Sequence, residues 1–251
     1  MLYPNAAEIR KVFSMREAIE SDREAFMIQG EGLADVPVRT NFAIAEGCIT
    51  SFMPAHIKKY PQAGIKIVST YAGNHKKGMP AVSATVLLAD PETGVVNALL
   101  DGTELTRMRT GAVSGLATEL LANEMAEVGA LFGTGGQASS QLEAVLTARP
   151  LKEVRVFDMA PDKAVDFIKR TAETAAKFGT KLVAAESPEA AVSGADIITT
   201  VTTSPQPVFD GRRVKAGAHI NAVGTFMPHV SLTNISWGAR IRSLSTTVKR
   251  S

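Results

Sequence analysis

The spacing of hydrophobic residues along the chain predicts mixed helices and strands over roughly the first 110 residues. Ser14 and Glu17 have the spacing of a helix capping box, and apolar residues at helical intervals follow them, so a helix is expected there. Runs rich in β-branched residues predict three strands, the last two joined as a hairpin by the turn-forming residues 90–94. The predicted strands are residues 64–70, 83–89 and 95–100.

A helix is predicted over residues 106–122, with Val113, Leu116, Leu120 and Leu121 on its buried face. From residue 128 onward, short apolar runs alternate with helical patterns, which predicts a parallel sheet covered by helices. The predicted strands are 128–132, 154–157, 182–185, 197–201 and 219–223, and the predicted helices are 137–148, 161–178 and 188–192. Residues 231–251 show no clear helix or strand period.

The composition is that of an ordinary globular protein, with 45% hydrophobic and 21% charged residues in 251. The net charge of +2 provides no broad basic surface for nucleic acid, so no nucleic-acid partner is expected. No apolar run is long enough for a membrane span, and the N-terminus does not resemble a signal peptide. Cys48 is the single cysteine, which suits a reducing cytoplasm, and cytoplasmic localisation is expected.

A glycine-rich motif typical of dinucleotide-binding proteins lies between the first strand and the first helix of this alternating region. Gly133 permits the tight turn, Gly135 leaves room for a pyrophosphate, and Ala138 lets the helix pack closely on the strand. The N–H groups that open the helix favour phosphate charge. A plain tight turn is the alternative reading of these glycines.

Asp158 ends the second strand of this region, 23 residues after Gly135. A carboxylate at about that distance accepts hydrogen bonds from the adenosine ribose and repels a 2′-phosphate. No arginine follows Asp158 directly, so NAD is favoured over NADP. The alternative role for Asp158 is to cap the helix that begins near Pro161.

Arg39, Lys66 and Arg109 are cations in apolar or compact sequence settings. A lysine in the middle of an apolar strand costs free energy unless its ammonium group meets an anion or reaches water. A guanidinium binds a carboxylate through two parallel hydrogen bonds. These residues therefore predict a carboxylate site, while surface positions or structural ion pairs remain the alternative.

Ordered motifs over about residues 36–228 resemble the ornithine cyclodeaminase/μ-crystallin family. They are G-I-K-I-V from Gly64, A-D-P-E-T-G from Ala89, L-L-D-G-T-E-L-T-R-M-R-T-G-A-V-S from Leu99, G-T-G-G-Q-A from Gly133, G-A-D-I-I-T-T-V-T from Gly194 and G-A-H-I-N-A-V-G from Gly217. The expected fold is α/β, with a Rossmann-type parallel-sheet domain and an N-terminal α+β domain for substrate binding and dimerisation. The expected domain bounds are 1–115 and 116–230, followed by an atypical tail, 231–251, which a truncation would explain.

The resemblance implies roles for individual residues. Arg39, Lys66 and Arg109 match positions that hold the substrate carboxylate, Arg109 also approaches the cofactor, and Met53 lines the substrate pocket. Lys66 is the catalytic candidate, and His219 is a weaker acid/base candidate whose alternative role is structural. The implied cofactor-binding residues are Arg109, Gly133, Gly135, Gly136, Gln137, Asp158, Thr202, Asn221, Ala222, Val223 and Gly224.

One departure from the family pattern bears on the reaction. Where ornithine cyclodeaminases have an aspartate two residues after the H-I-N-A-V-G run, this chain has Phe226, which can neither move a proton nor pair with an ammonium group. The expected activity is therefore NAD(H)-dependent reduction of a cyclic imino acid, or the related amino-acid dehydrogenation. Ornithine cyclodeamination and non-catalytic binding of NAD(P)H, as in μ-crystallin-like proteins, are the alternatives. No metal is expected, and a homodimer is, if the C-terminal region permits one.

Overall fold

A computed structural model describes residues 1–60, 62–223 and 242–243 of the chain. The chain divides into two compact units, Met1–Arg109 and Thr110–Ser251. The division falls within a single helix, Gly102–Leu121, and the boundary expected from the sequence, between residues 115 and 116, lies in the same helix.

The first unit is built on an antiparallel sheet, as a hairpin-rich sequence predicts. The strands that pair along it are ordered β1-β3-β4-β5-β6, and β2 pairs with the same strand, β3, as β1 does. Helices α1 and α2 precede the sheet, and a short 3-10 helix, Ala72–Lys77, follows β4. The bounds are α1 Ala6–Val12, α2 Met15–Gly30, β1 Ala34–Asp35, β2 Thr40–Ala45, β3 Cys48–Ile57, β4 Gln62–Tyr71, β5 Val82–Ala89 and β6 Val96–Asp101.

The sequence predicted α2 and β4 to β6 but not α1 or β1 to β3. Ser14 caps α2 in a capping box with Glu17, as expected. Asn5 and Glu8 form a second capping box at α1, a signal that the sequence contained and the prediction did not use. Strand β2 was missed because all six of its residues are exposed, so it lacks the alternation of buried and exposed positions that reveals most strands.

The second unit contains a six-stranded parallel sheet, which confirms the Rossmann-type prediction. In chain order its strands are β7 to β12, and across the sheet they run β9-β8-β7-β10-β11-β12, the 3-2-1-4-5-6 order of dinucleotide-binding folds. The bounds are α3 Gly102–Leu121, β7 Val128–Phe132, α4 Ala138–Ala148, β8 Glu153–Phe157, α5 Pro161–Ala176, β9 Lys181–Ala184, α6 Pro188–Val192, β10 Ile197–Thr200, β11 His219–Ala222 and β12 Arg242–Ser243.

Strand β12 lies in the tail for which the sequence showed no period. It has two residues and pairs in parallel with the start of β11. Two residues are too few for a hydrophobic period to show, which is why the pattern gave no signal. The rest of the tail lies outside the described residues.

The buried face of α3 differs from the prediction. Leu120 is 57% exposed, so placing it on the buried face was wrong. Leu116 is buried as predicted, whereas Val113 and Leu121 are only partly buried. Met108, Ala112 and several small residues complete the buried face. A Cβ atom at Gly111 would lie 2.5 Å from the Ser140 carbonyl oxygen, so the helix approaches α4 through backbone rather than through large side chains. A search for large apolar residues at helical spacing does not detect such a face.

Asp196 joins the amino ends of three strands of the parallel sheet. Its carboxylate accepts hydrogen bonds from the backbone N–H groups of Glu127 and Val128, at the start of β7. It also forms an ion pair with Lys215, and its carbonyl accepts the N–H of His219 at the start of β11.

None of the described helices is long and apolar enough to cross a membrane.

Candidate functional site

The loop between β7 and α4 has the backbone geometry that the glycine motif predicts. Gly133 has φ +94°, and a Cβ atom there would lie 2.8 Å from the Val201 carbonyl oxygen, so only glycine fits. A Cβ atom at Gly135 would have no neighbour within 4 Å. The fold therefore does not require glycine at 135, and the open space beside it fits a ligand phosphate.

Helix α4 begins without a side-chain cap, because Gln137 at the N-cap makes no such hydrogen bond. The first N–H groups of a helix have no partner within the helix, and the helix dipole favours negative charge at this end. An uncapped N-terminus that directly follows a glycine loop fits the pyrophosphate of a dinucleotide.

A cleft of about 1000 Å³ lies at the carboxyl ends of β7, β8 and β10. Ligands bind at this edge of a doubly wound sheet, where the strand order reverses. Four of the expected cofactor residues line the cleft: Gly133, Gly135, Asp158 and Thr202. Gly136 and Gln137 continue the loop into α4 but are not among the described residues that line it. The lining residues that the sequence did not single out include Thr134, Lys163 and Arg170.

The Asp158 carboxylate is held by the loop. Its Oδ2 accepts hydrogen bonds from the Thr134 backbone N–H at 3.2 Å and from the Thr134 hydroxyl at 2.7 Å. Burial raises the pKa of the Asp158 carboxyl, but the hydrogen bonds from Thr134 and Ala160 lower it, and the pKa lies below its ordinary value. Asp158 is therefore an anion near neutral pH, as a ribose acceptor must be.

The resemblance implies cofactor contacts at the end of β11. The Asn221 side chain is 5% exposed, and its amide hydrogen-bonds to His219 and Thr118. His219 is 1% exposed, which fits the structural role considered for it. Asn221, Ala222 and Val223 are not among the described residues that line the cleft, so a contact from Asn221 to a cofactor would use its backbone. Gly224 and Phe226 lie outside the described residues.

The first unit brings together the residues expected to bind substrate. Met53 on β3 is the Cα partner of Lys66 on β4, so the two side chains leave the same face of the sheet as neighbours. Arg39 directly precedes β2, whose first residue, Thr40, pairs with Phe52. Arg39 therefore lies at the end of β2 that is beside Met53.

Three cations of this unit, Arg39, Lys66 and Arg109, affect one another electrostatically and are called the cation cluster below. Burial lowers the pKa of Lys66 to about 8, and the charges of Arg109 and Arg39 contribute. Arg109 is exposed to solvent in part, but many protein atoms surround its guanidinium. The resulting loss of hydration lowers the pKa of Arg109, and the charge of Arg39 lowers it further. Among the described residues, no carboxylate forms an ion pair with any of the three. Positive charges held together without a carboxylate in an ion pair with any of them fit an anion-binding site.

Asp22 on α2 is a further group beside this cluster, and sequence reasoning missed it. Its Oδ2 is buried and has no hydrogen-bond partner among the described residues. Burial raises the pKa of the Asp22 carboxyl to about 6, although the charge of Arg109 lowers it. In the sequence Asp22 is one of many charged residues on an amphipathic helix, so no local signal distinguishes it. No group of three His, Cys, Asp or Glu side chains among the described residues could hold a metal ion.

Comparison with known sequences identifies relatives across most of the chain. Residues 2–231 match the sequence profile of the ornithine cyclodeaminase/mu-crystallin family. A Δ1-pyrroline-2-carboxylate reductase of Bacillus cereus is 36% identical over 92% of this chain and 70% of the relative. The family expected from the motifs is therefore confirmed.

Two solved structures are similar to this chain. The Δ1-pyrroline-2-carboxylate reductase of Thermococcus litoralis, in complex with NADH and L-proline, has a TM-score of 0.82 and 37% identity, over 88% of this chain and 68% of that one. An archaeal alanine dehydrogenase dimer with bound NAD has a TM-score of 0.80 and 33% identity, over 89% of this chain and 67% of that one. The chain thus spans about two thirds of the length of these relatives.

Proposed function

This chain belongs to the ornithine cyclodeaminase/mu-crystallin family, and from that membership and its two anion sites we propose that it is an NAD(H)-dependent reductase of a cyclic imino acid. Δ1-Pyrroline-2-carboxylate is the proposed substrate and proline the product. The observation that carries the proposal is the cation cluster, since no carboxylate among the described residues forms an ion pair with Arg39, Lys66 or Arg109. Relatives that act on this imino acid, or contain its amino-acid product, support the choice of substrate.

The cation cluster would bind the substrate through its carboxylate. A guanidinium presents two parallel N–H donors to a carboxylate, and an ammonium group adds a point charge. In this arrangement Arg39 and Arg109 orient the carboxylate while Lys66 lies within the same positive field. Met53, the Cα partner of Lys66, would contact the apolar part of the ring.

Lys66 is the proposed proton donor. Reduction of the C=N bond requires a hydride at carbon and a proton at nitrogen, and no group leaves. The bound dihydronicotinamide supplies the hydride. The pKa of Lys66, about 8, leaves its ammonium group mostly protonated at neutral pH while making the proton easier to release than that of an ordinary lysine.

Two features of the second unit support NAD as the cofactor. The ribose end of the cleft contains an ionised carboxylate, Asp158, which accepts hydroxyl groups and repels a 2′-phosphate. The phosphate end combines the Gly133 turn, the space at Gly135 and the uncapped start of α4. The archaeal alanine dehydrogenase contains NAD, and the Thermococcus reductase contains NADH.

Amino-acid dehydrogenation is the second candidate reaction, and the likeness to an alanine dehydrogenase favours it. It uses the same carboxylate site and the same cofactor, but an open-chain substrate. Incubating the protein with NAD and L-alanine, or with NADH, pyruvate and ammonia, distinguishes it from cyclic imine reduction.

The test of the proposed function is spectrophotometric. Purified protein is mixed with NADH and Δ1-pyrroline-2-carboxylate, and the loss of NADH absorbance is followed. Turnover by the unchanged protein, a loss of at least about a hundredfold in Lys66→Met, and unchanged activity in Lys76→Met, an exposed lysine of the same unit, are expected. Absence of turnover with cyclic imines, together with ornithine-dependent release of ammonia, would replace the proposal with cyclodeamination. NADH binding without turnover of any substrate would favour a non-catalytic binding protein.

We also propose that the chain forms a homodimer through its first unit. Five large apolar residues on or near β2 are exposed: Val36, Val38, Phe42, Ile44 and Ile49. Exposed apolar groups concentrated in one region are typical of an interface, and the related alanine dehydrogenase is a dimer. Light scattering after size-exclusion chromatography should give twice the chain mass, and Phe42→Lys should shift it toward the monomer. A stable monomer of the unchanged chain would contradict this.

The proposed location is the cytoplasm. The single cysteine suits a reducing compartment. Recovery of the protein in a secreted fraction would contradict this.

A further inference from the structure

The Asp158 carboxylate, the proposed ribose acceptor of the cleft, accepts hydrogen bonds from two separate segments of the chain. Asp158 Oδ2 accepts two hydrogen bonds from Thr134, one from the backbone N–H and one from the hydroxyl. Asp158 Oδ1 accepts one, at 3.1 Å, from the backbone N–H of Ala160. A carboxylate has about two accepting positions on each oxygen. The unused position is therefore on Oδ1, and Thr134 determines how the carboxylate is turned.

Thr134 is itself held in place. It is 7% exposed, and its carbonyl oxygen accepts a hydrogen bond at 2.6 Å from Nη2 of Arg170 on α5. The Arg170 guanidinium lies 5.0 Å from the ring centre of Phe167, which is fully buried. A chain of contacts therefore runs from the core through Arg170 and Thr134 to Asp158.

The charges along the cleft make the position of Asp158 decisive. Helix α5 contributes Lys163, Asp166 and Arg170 to the lining, spaced so that they share one face of the helix. The two cations outnumber the one anion on that face. Without a fixed Asp158 carboxylate this side of the cleft would attract a phosphate group, and with it the cleft favours a ribose whose 2′-hydroxyl is free.

We propose that Thr134, held by Arg170, is a specificity-determining positioning residue that turns Asp158 toward the adenosine ribose and so makes the cleft select NADH over NADPH. The inference rests on the cofactor site of the proposed function. It goes beyond that function because it assigns cofactor selectivity to the Thr134 hydroxyl, which acts by hydrogen-bonding to Asp158 and not by contacting the nucleotide. Thr134 occupies the variable position between the two glycines, where the motif alone specifies no side chain.

The test measures binding rather than turnover. Dissociation constants of NADH and NADPH are determined by fluorescence titration for the unchanged protein, Thr134→Val, Thr134→Ser and Arg170→Gln. Thr134→Val keeps the shape of the side chain but removes the hydroxyl, and should lower the preference for NADH by about tenfold, in keeping with loss of a hydrogen bond to a charged group. Thr134→Ser keeps the hydroxyl and should retain the preference. Arg170→Gln loosens Thr134 without removing the hydroxyl, and should weaken NADH binding by about threefold. It also removes a cation that lines the cleft and would attract a 2′-phosphate, so its effect is measured on the NADH constant rather than on the preference.

A matched control and a second background separate positioning from general damage. Lys169→Gln removes a neighbouring positive charge on α5 whose side chain is 74% exposed, and should leave both constants unchanged. In an Asp158→Asn background, Thr134→Val should have no further effect on the preference, since no carboxylate remains to be turned. ADP-ribose and its 2′-phosphate serve as probes that lack the nicotinamide.

The outcomes separate this inference from the proposed function. If the unchanged protein binds neither nucleotide, the proposed function fails. If it binds NADH but Thr134→Val keeps the full preference, or Thr134→Ser loses as much of it as Thr134→Val, the inference alone is overturned. An equal effect of Lys169→Gln and Arg170→Gln would overturn the part assigned to Arg170.

Discussion

The glycine loop of the second unit and the cation cluster of the first unit both prepare the chain for an anion, by different physical means. The loop uses backbone groups of six consecutive residues, and its properties follow from torsion angles and open space. The cluster uses charged side chains from β4, α3 and the residue before β2, with Arg39 and Arg109 70 positions apart. Backbone N–H groups do not titrate near neutral pH, whereas a buried lysine does. The first site should therefore depend on geometry and the second on protonation.

The largest expected effect comes from breaking the loop geometry. Gly133→Ala forces a side chain into φ +94° and against the Val201 carbonyl, so it should weaken NADH binding at least a hundredfold and lower the free energy of unfolding by about 2 to 4 kcal/mol. Gly135→Ala places its methyl group in open space, so it should weaken NADH binding without lowering stability. Calorimetric NADH titration and thermal unfolding measure the two effects.

Gly73→Ala, in the first unit, is the control for the loop variants, because a Cβ atom there also meets nothing within 4 Å. It should change neither quantity. If Gly135→Ala binds NADH as tightly as the unchanged protein, the space at Gly135 is not the phosphate site.

The next effect concerns the pH dependence of the cation cluster. The pKa of Lys66 is about 8, so its ammonium group is protonated below that pH and loses its charge and its proton above it. The kcat/KM for imine reduction should therefore fall about tenfold per pH unit above pH 8, while NADH binding stays level through the same range. Lys66→Arg should have lower activity, and its remaining activity should no longer fall above pH 8. If the fall above pH 8 persists in Lys66→Arg, another group causes it.

A smaller effect is expected on stability. Because the pKa of Lys66 is lowered from 10.5, the folded state binds this proton less tightly than the unfolded state, and the charged lysine destabilises the fold below about pH 8. Lys66→Met should then raise the free energy of unfolding at pH 7 by on the order of 1 kcal/mol, after allowance for solvent screening. The gain should shrink between pH 8 and 10.5, where the lysine is neutral in the fold. Urea unfolding at several pH values measures it, and a loss of stability at pH 7 would contradict it.

The smallest effect concerns Asp22. Its pKa of about 6 makes it an anion at pH 7, where its charge opposes binding of another carboxylate near Arg109. Asp22→Asn should therefore tighten L-proline binding about two- to threefold at pH 7 and leave it unchanged at pH 5, where Asp22 is already protonated. Calorimetric titration in the presence of NAD measures this. Equal effects at both pH values would show that the charge of Asp22 is not the cause.

The contrast between the two regions also explains what the sequence could predict. The β7–loop–α4 segment follows from local order alone, because the glycines, the apolar strand before them and the helix after them are consecutive. Strand β2 was missed because all six of its residues are exposed. Strand β3 was missed because its burial pattern is irregular and it contains Pro54, a residue that argues against a strand. Leu120 was misplaced because α3 packs through glycine and alanine, which a hydrophobic pattern does not weigh.

Contacts between distant residues account for the remaining gaps in the site. The resemblance to the family supplied Arg39, Lys66 and Arg109, but no spacing in the sequence relates Asp22 to Arg109. Thr134 lies within the glycine motif, but the motif specifies no side chain at this position. Its partner Arg170 comes 36 residues later on another helix, so no local pattern relates the two. Residues whose function depends on a tertiary partner could not be assigned from one sequence.

The two ends of the parallel sheet have different roles, and Asp196 belongs to the end that stabilises the fold. It ties β7, β10 and β11 together where these strands begin, whereas the nucleotide cleft opens where β7 and β10 end. Substitutions that strengthen the hydrogen bonds and the ion pair of Asp196 could therefore raise the thermal stability of the protein without changing how it recognises a nucleotide.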